Sequence, residues 1–302
     1  MKPFHRIVLA LAAFCVAGAV SAQDLTGTLK KIKDTGTITI AYRDASIPFS
    51  YLDDNQKPVG YSMDICYKIV DAVKAQLKMP DLKVALQPVS SATRIPLIAN
   101  GTVDIECGST TNNLERQQQV SFVVTTFVTA NRLMSKAKNK IVNLEDLKGK
   151  TLVSTSGTSN LKQVTELNGT KNLGINIVPA ADHPAAFQMV ESDRAAAFAM
   201  DDILLYSLVA QSKSPADYYI STVQLSTEPY GIMLRKGDPD FKKVADGAVV
   251  ALMKSGDITK IYAKWFLSPI PPKNGNLNVP MSDTLKKVIA NPTDSGDPAA
   301  YR

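Results

Sequence analysis

Two short turns rich in small and hydroxyl-bearing residues occur in the chain, one in each half: Gly108-Ser109-Thr110-Thr111 and Thr155-Ser156-Gly157-Thr158-Ser159. Glycine lets backbone approach a ligand closely, hydroxyls donate hydrogen bonds, and the amides of a helix start carry partial positive charge. Each turn is therefore a cradle for an anion. Arg116 follows the first turn closely enough to close a bidentate pair on a carboxylate or phosphate. Arg43 and Arg94, with Ser91 just ahead of Arg94, supply more donors, and His183 is the one histidine after residue 22. Asp201 and Asp202 bring the opposite charge: with one capping a helix, the other is free for a cation such as an ammonium group. Each has an ordinary alternative as well. The first turn and Ser91 also read as simple helix caps, Arg43 as a surface ion pair, and His183 as a cap or surface group. One hydroxyl-rich turn is weak evidence, but two, accompanied by three arginines, point to anion cradles facing each other across a cleft.

The elements that must position these residues follow from periodicity. Residues 37–42 alternate as a strand that delivers Arg43 to its carboxyl end, and Pro48 ends regular pairing. Ligands of open α/β sheets bind at that edge. Residues 63–77 place Ile65, Ile69, Val70, Val73 and Leu77 at helical spacing between charged positions, an amphipathic helix covering a sheet. A second strand spans 83–89, a short helix starts at Ser91, and a third strand, 103–105, runs through the first cradle into a helix start. The run 121–133 is longer than one ordinary strand and suits a crossing into a second domain. There the pattern restarts: strand 151–154, second cradle and helix; strand 175–178, Asp182-His183-Pro184 and helix; strand 195–200, Asp201-Asp202 and helix. Residues 230–235 form a strand leading back, 241–254 and 258–266 are helices, and the last dozen residues look frayed. Strand–helix alternation of this kind is the pattern of doubly wound α/β sheets.

Residues 1–22 have a basic start, an apolar run and Val-Ser-Ala before Gln23, the form of a secretory signal peptide. Cys15 follows Phe14 inside that run, where a lipid-anchoring signal needs a small residue. No later stretch is apolar for long enough to span a bilayer. The remaining 280 residues suit two domains. Without Lys2 and Arg6 the formal charge falls from +6 to +4, and no dense basic tract remains to hold nucleic acid. Cys66 and Cys107 are then left in an oxidising compartment, as a disulfide or as two buried thiols. One histidine and two cysteines make no zinc constellation, and neither Gly-x-Ser-x-Gly nor Gly-x-x-x-x-Gly-Lys occurs, so metal, cofactor and catalytic roles find no motif.

Ile47-Pro48-Phe49-Ser50-Tyr51, Val59-Gly60-Tyr61-Ser62, Met200-Asp201-Asp202, Lys264-Trp265-Phe266 and the runs 106–113 and 269–273 resemble segments of the periplasmic solute-binding proteins for polar amino acids, family 3. The last two runs resemble its acidic amino-acid branch. The resemblance implies an α/β, two-lobed periplasmic binding protein fold of type II, each lobe a doubly wound sheet, joined by two crossing strands. Lobe 1 is then 23–130 plus 226–302 and lobe 2 is 131–225. It also implies a monomeric, periplasmic, non-enzymatic carrier without cofactor, which takes L-glutamate or L-aspartate to an inner-membrane ABC permease with its ATPase. By position, Arg116 with Ser109 and Thr111 takes the α-carboxylate, and Asp201 the α-ammonium. Thr155 and Thr158 complete the second lobe's bonds, and Arg43, Arg94 and His183, with Ser91 nearby, receive the side-chain carboxylate. The chain departs from the resemblance at cysteine: Ile232 stands where enteric members carry one, and Cys66 appears instead. A Cys66 to Cys107 bridge therefore rests on this chain alone. A carrier for another polar amino acid, such as glutamine, is the alternative, and a periplasmic dehydratase-like enzyme a more distant one.

Overall fold

The computed structural model describes residues 25–302; the expected signal peptide, 1–22, and Cys15 lie outside the described residues. In the strand Thr37–Tyr42, Ile38 and Ile40 are wholly buried. This strand pairs in parallel with Lys83–Pro88 on one side and Ile105–Glu106 on the other, and Met233–Arg235 and Val120–Phe122 extend the sheet with antiparallel pairing. Parallel neighbours need a crossover, and the helix Tyr61–Leu77 supplies the first. Its buried face carries Ile65, Cys66, Ile69, Val70, Val73 and Leu77, while Asp64 in the first turn and Lys74 in the last complement the helix dipole.

A second sheet has the order Asn176–Ala180, Thr151–Thr155, Ala197–Asp201, Phe127–Lys136, Tyr218–Ile220. Its first three strands are parallel, connected by the helices Ser159–Thr170 and His183–Glu191. The molecule is thus mixed α/β with two sheet-rich lobes. The chain enters the second sheet along Phe127–Lys136 and leaves along Ser226–Tyr230, which pair antiparallel from Phe127 opposite Tyr230 to Asn131 opposite Ser226. The run read as one long segment from 121 onward is broken in two. Val120–Phe122 closes the first sheet, and then Val124 N–H turns to Asp246 Oδ1 (2.9 Å) and Thr125 N–H to Thr293 O (2.7 Å) before the long strand begins.

An aromatic cluster fixes the root of the crossing strands. Phe127 stacks on Phe266 at 5.0 Å, Tyr262 on Phe266 at 4.4 Å, and Phe49 meets Tyr230 edge-on at 5.1 Å. Tyr61 donates its hydroxyl to Thr126 O at 2.9 Å. Such ring pairs contribute about 0.5–1.5 kcal/mol each beyond area burial, so the base of the crossing is a rigid point. The last residues are also tied down, contrary to the frayed end expected from their polarity. Tyr301 is buried, donates to Ser295 O at 2.6 Å and shares a 2.7 Å hydrogen bond with Thr125 Oγ1, while Asn112 Nδ2 donates to Asp294 O at 2.8 Å. Composition signalled solvent exposure, but loop backbone at the crossing offers partners that the composition of the tail does not show.

Cys66 and Cys107 form a disulfide, with Cα atoms 6.2 Å apart. It ties the helix Tyr61–Leu77 to the residue before the first cradle, across a sequence separation of 41. A loop of that length is expected to stabilise the fold by about 2–4 kcal/mol. Replacing both cysteines by serine should lower the calorimetric melting temperature by several degrees, and added reductant should do the same to the natural chain. An unchanged melting temperature in both would count against this.

Candidate functional site

Six strands or turns of the two lobes deliver polar side chains to one place, because residues just past the carboxyl ends of parallel strands leave the sheet along its open edge. Arg43 follows Thr37–Tyr42, Ser91 follows Lys83–Pro88, and the first cradle follows Ile105–Glu106. From the other lobe come Thr155 and Asp201, the last residues of their strands, and His183, which opens a helix after Asn176–Ala180. Arg43, Ser91, Arg94, Ser109, Thr111, Arg116, Thr155, Thr158, His183 and Asp201 are all buried, none more than 8% exposed.

Three guanidiniums lie in this cleft. Arg43 Nη2 donates to Ser91 Oγ at 2.8 Å, Arg94 Nη1 to Ser109 O at 3.3 Å, and Arg116 Nη1 to Thr111 O at 2.8 Å. Burial lowers the pKa of each. For Arg43 the value falls to about 9 and for Arg116 to about 10, with repulsion from Arg94 as the next cause in both, so these two still carry charge near neutrality. His183 Nδ1 pairs with Thr155 Oγ1 at 2.9 Å, and burial together with the charges of Arg43 and Arg94 holds its pKa well below the usual histidine range. His183 is therefore a neutral hydrogen-bonding group here rather than a fourth cation.

The negative pole sits across the cleft. Asp201 Oδ1 accepts from Asn160 Nδ2 at 2.7 Å, and Oδ2 accepts a short hydrogen bond from the Tyr230 hydroxyl. Burial and then the nearby Glu228 push the Asp201 carboxyl up to about 7, against the pull of those two hydrogen bonds. Asp202 is engaged elsewhere, accepting from Arg132 Nε at 2.9 Å and from Thr129 Oγ1. Glu228 Oε2 lies 2.9 Å from the Ser159 hydroxyl, which also reaches Thr111 Oγ1 at 3.3 Å.

The two cradles touch. Gly157 has φ +75, and a Cβ there would lie 2.5 Å from Ala92 Cα and 2.7 Å from Ser91 O in the opposite lobe. Arg116 Nη2 donates to Gly157 O at 3.3 Å, and Lys162 pairs with Glu115 at the rim. Only glycine permits this approach. Among the described residues, no hydrogen-bond partner reaches the buried atoms Arg43 Nη1, Arg94 Nε, Ser109 Oγ, Glu106 Oε1 and His183 Nε2. An unpaired buried polar group costs about 1–3 kcal/mol, so the donors among them, Arg43 Nη1, Arg94 Nε and the Ser109 hydroxyl, fit a polar, acceptor-bearing guest.

Local structure differs from the sequence expectation at the first cradle and at Ser91. The first cradle does not open a helix: Thr111 pairs with Tyr230 as an isolated bridge, Asn112 N–H goes to Pro229 O at 2.7 Å, and Arg116 heads only the 3-10 turn Arg116–Gln118. The return crossing strand pairs with the chain here, taking the Asn112 N–H and donating Gly231 N–H to Thr110 O at 3.1 Å, so helix-dipole assistance is confined to the second cradle. There Thr158 caps Ser159–Thr170, accepting from Leu161 N–H at 3.1 Å. Ser91 caps nothing; its hydroxyl accepts from Arg43. Four buried polar residues escaped notice as site groups: Glu106, Asn160, Glu228 and Tyr230. For Glu106 a signal was present, a carboxylate ending an apolar strand immediately before a cradle. Glu228 and Tyr230 lie on the return crossing strand, whose register no local pattern reveals.

Residues 38–268 match the model of the bacterial extracellular solute-binding proteins, family 3. The L-glutamate/L-aspartate-binding protein of Pseudomonas aeruginosa is 54% identical over 286 residues, covering 94% of this chain and 95% of that protein. The glutamate/aspartate import solute-binding protein of Escherichia coli is 45% identical over 294 residues, 97% of each. Among solved structures, an ancestral arginine-binding protein bound to arginine is similar with a TM-score of 0.69 at 29% identity, covering 76% of this chain and 98% of that one. With two α/β lobes of the type II periplasmic binding fold and this match across its length, the chain belongs to the bacterial extracellular solute-binding proteins, family 3.

Proposed function

We propose that this protein captures glutamate or aspartate between its lobes and delivers it to an inner-membrane ABC permease with its ATPase. The observation that carries this is the charge pattern of the cleft: three buried guanidiniums on one side, two of them with an unpaired nitrogen (Arg43 Nη1 and Arg94 Nε), and the Asp201 carboxyl on the other. An acidic amino acid presents two carboxylates and one ammonium, the complement of that pattern. The names of the relatives at 54% and 45% identity support the same choice. Arg116, with Ser109 and Thr111, binds the α-carboxylate. Asp201 binds the ammonium, and Thr155 and Thr158 steady the second lobe's side. Arg43, Arg94 and His183, with Ser91, receive the side-chain carboxylate. Charge-assisted bonds contribute about 1.5–3 kcal/mol each, so a handful accounts for micromolar binding near −8 kcal/mol.

Lobe 1 comprises residues 23–130 and 226–302 and lobe 2 residues 131–225, a division supported by the membership of the two sheets. Closure brings Gly157 onto Ala92, and opening about the crossing strands admits ligand. The protein acts in the periplasm as a monomer after removal of residues 1–22, and it carries rather than transforms its ligand.

Titration calorimetry against the common amino acids tests the ligand: micromolar or tighter binding of glutamate or aspartate is expected, and tight binding of a neutral or basic amino acid with none of glutamate overturns it. Arg116→Ala should abolish binding of every amino acid. Arg94→Ala should mainly weaken acidic ligands, by about 1.5–3 kcal/mol; equal losses for acidic and neutral ligands would refute the division of labour.

Gly157→Ala should block closure. Its affinity should fall at least about tenfold, with a radius of gyration in saturating ligand that stays at the open value in solution scattering. A variant that compacts normally on binding contradicts this role.

Binding should also depend on pH through Asp201. In the empty cleft burial raises its pKa to about 7, favouring the neutral acid, whereas an ammonium partner favours the carboxylate. Binding below neutrality therefore releases a proton, so affinity rises with pH until about 7 and levels off above. Calorimetry in buffers of different ionisation enthalpy measures that proton, and an affinity flat between about pH 5.5 and 8 is the contrary result.

A further inference from the structure

Glu106 is wholly buried at the end of the central strand Ile105–Glu106, yet the ligand roles above make no use of it. Its carboxylate lies directly beneath the first cradle. Oε2 accepts from Thr110 Oγ1 at 2.7 Å, and a Cβ built on Gly108 would come within 2.2 Å of Oε1 and 2.9 Å of Arg43 Cγ. Gly108 is thus the residue that lets the turn pass over this carboxylate and the Arg43 stem. Oε1 has no hydrogen-bond partner among the described residues. The Glu106 charge acts favourably on Arg43, Arg94 and Arg116 alike, opposing the burial and mutual repulsion that lower them.

The buried ionisable groups around the cleft are three of each kind, Arg43, Arg94 and Arg116 alongside Glu106, Asp201 and Glu228, with Asp201 pushed toward its neutral form. Asp201 and Glu228 lie on the side proposed for the ammonium, linked to Asn160, Tyr230 and Ser159. Glu106 is the one carboxylate on the arginine side, held there by Thr110 rather than by a bidentate pair with any arginine. Given an acidic amino-acid cleft as proposed above, we infer that Glu106 is a resident counter-anion that sets the preference for carboxylate over carboxamide side chains, and sets it lower than three unopposed arginines would. It occupies part of the positive field that a ligand side-chain carboxylate also seeks. It keeps the cationic cleft from being overcharged when empty, and it lowers the cost of releasing an acidic ligand. A glutamine or asparagine side chain carries no net charge and is far less sensitive to it.

The test is the ratio of affinities for glutamate and glutamine in Glu106→Gln, which keeps the shape and removes the charge. The ratio should rise on the order of tenfold, the scale of one unit charge acting across several ångströms of protein interior. Glu106→Asp retains the charge and should keep the ratio near that of the natural chain even where both affinities fall. A purely structural brace predicts equal losses for both ligands in Glu106→Gln, and a ratio unchanged within about twofold overturns the inference. A second measurement does not depend on that single variant. Arg43→Met should weaken glutamate strongly, and Arg43→Met combined with Glu106→Gln should recover part of the loss, since one charge of each sign has then been removed. Losses that add, or worsen, in the double variant also overturn it. Natural protein that binds glutamate while these ratios stay put leaves the proposed function standing and removes only Glu106. Natural protein that binds no acidic amino acid removes both.

Discussion

Three guanidinium groups buried in one cleft repel each other and have lost most of their water, so the fold must hold them where they would not stay unaided. Each is anchored to an oxygen the sheet already positions: Arg43 to Ser91, Arg94 to the carbonyl of Ser109, Arg116 to the carbonyl of Thr111. Neutral acceptors of this kind orient an arginine while leaving its charge to act elsewhere. A bidentate carboxylate in the same place would orient it equally well and cancel it. The three buried carboxylates accordingly stand apart from the guanidiniums, hydrogen-bonded to Thr110, to Asn160 and Tyr230, and to Ser159 and Ser226. The cleft is polarised from one wall to the other, and that is the condition for binding a zwitterion that carries an extra carboxylate.

That polarity depends on water being kept out, which is the work of the second cradle. Gly157 packs its backbone on Ser91 and Ala92, and Arg116 reaches across to its carbonyl. One arginine therefore spans both lobes, joining the position proposed for a ligand carboxylate to the contact between the two cradles. With solvent displaced, each charge pair inside acts at a lower effective dielectric. The rim pair Lys162–Glu115, by contrast, is exposed and adds little to stability.

Much of this was legible before any coordinates. Period-two and period-3.6 patterns yield the strand Thr37–Tyr42, the helix Tyr61–Leu77 and the strand–turn–helix at Thr151–Thr155, because those elements are stabilised by their own amphipathic faces. Arg43, Asp201 and both cradles fall at strand carboxyl ends, so a one-dimensional pattern already places them at the edge where sheets bind ligands. What escaped depends on pairing between distant segments. The first cradle forms no helix where the return crossing strand bridges to Thr111 and takes the Asn112 N–H; Glu228 and Tyr230 enter the cleft only through the register of that strand; and residues 293–301 are tied down by the backbone and hydroxyl of Thr125. Local preference misled at the first cradle and the tail and was silent on Glu228 and Tyr230; long-range hydrogen bonding decided in each case.

Tyr230 shows how the site is coupled to the hinge. Its ring packs against Phe49 and Phe127 in the aromatic cluster at the root of the crossing strands, while its hydroxyl donates to Asp201 of the other lobe. The same residue is opposite Phe127 in the antiparallel pair and bridged to Thr111 beside the first cradle. Tyr230 is therefore in contact at once with Asp201, with the base of the crossing and, through the Thr111 bridge, with the residue whose carbonyl orients Arg116. Packed aromatic clusters resist continuous deformation and move between discrete arrangements. Tyr230 thus ties the Asp201 carboxyl and the strand pairing at the first cradle into one packed unit.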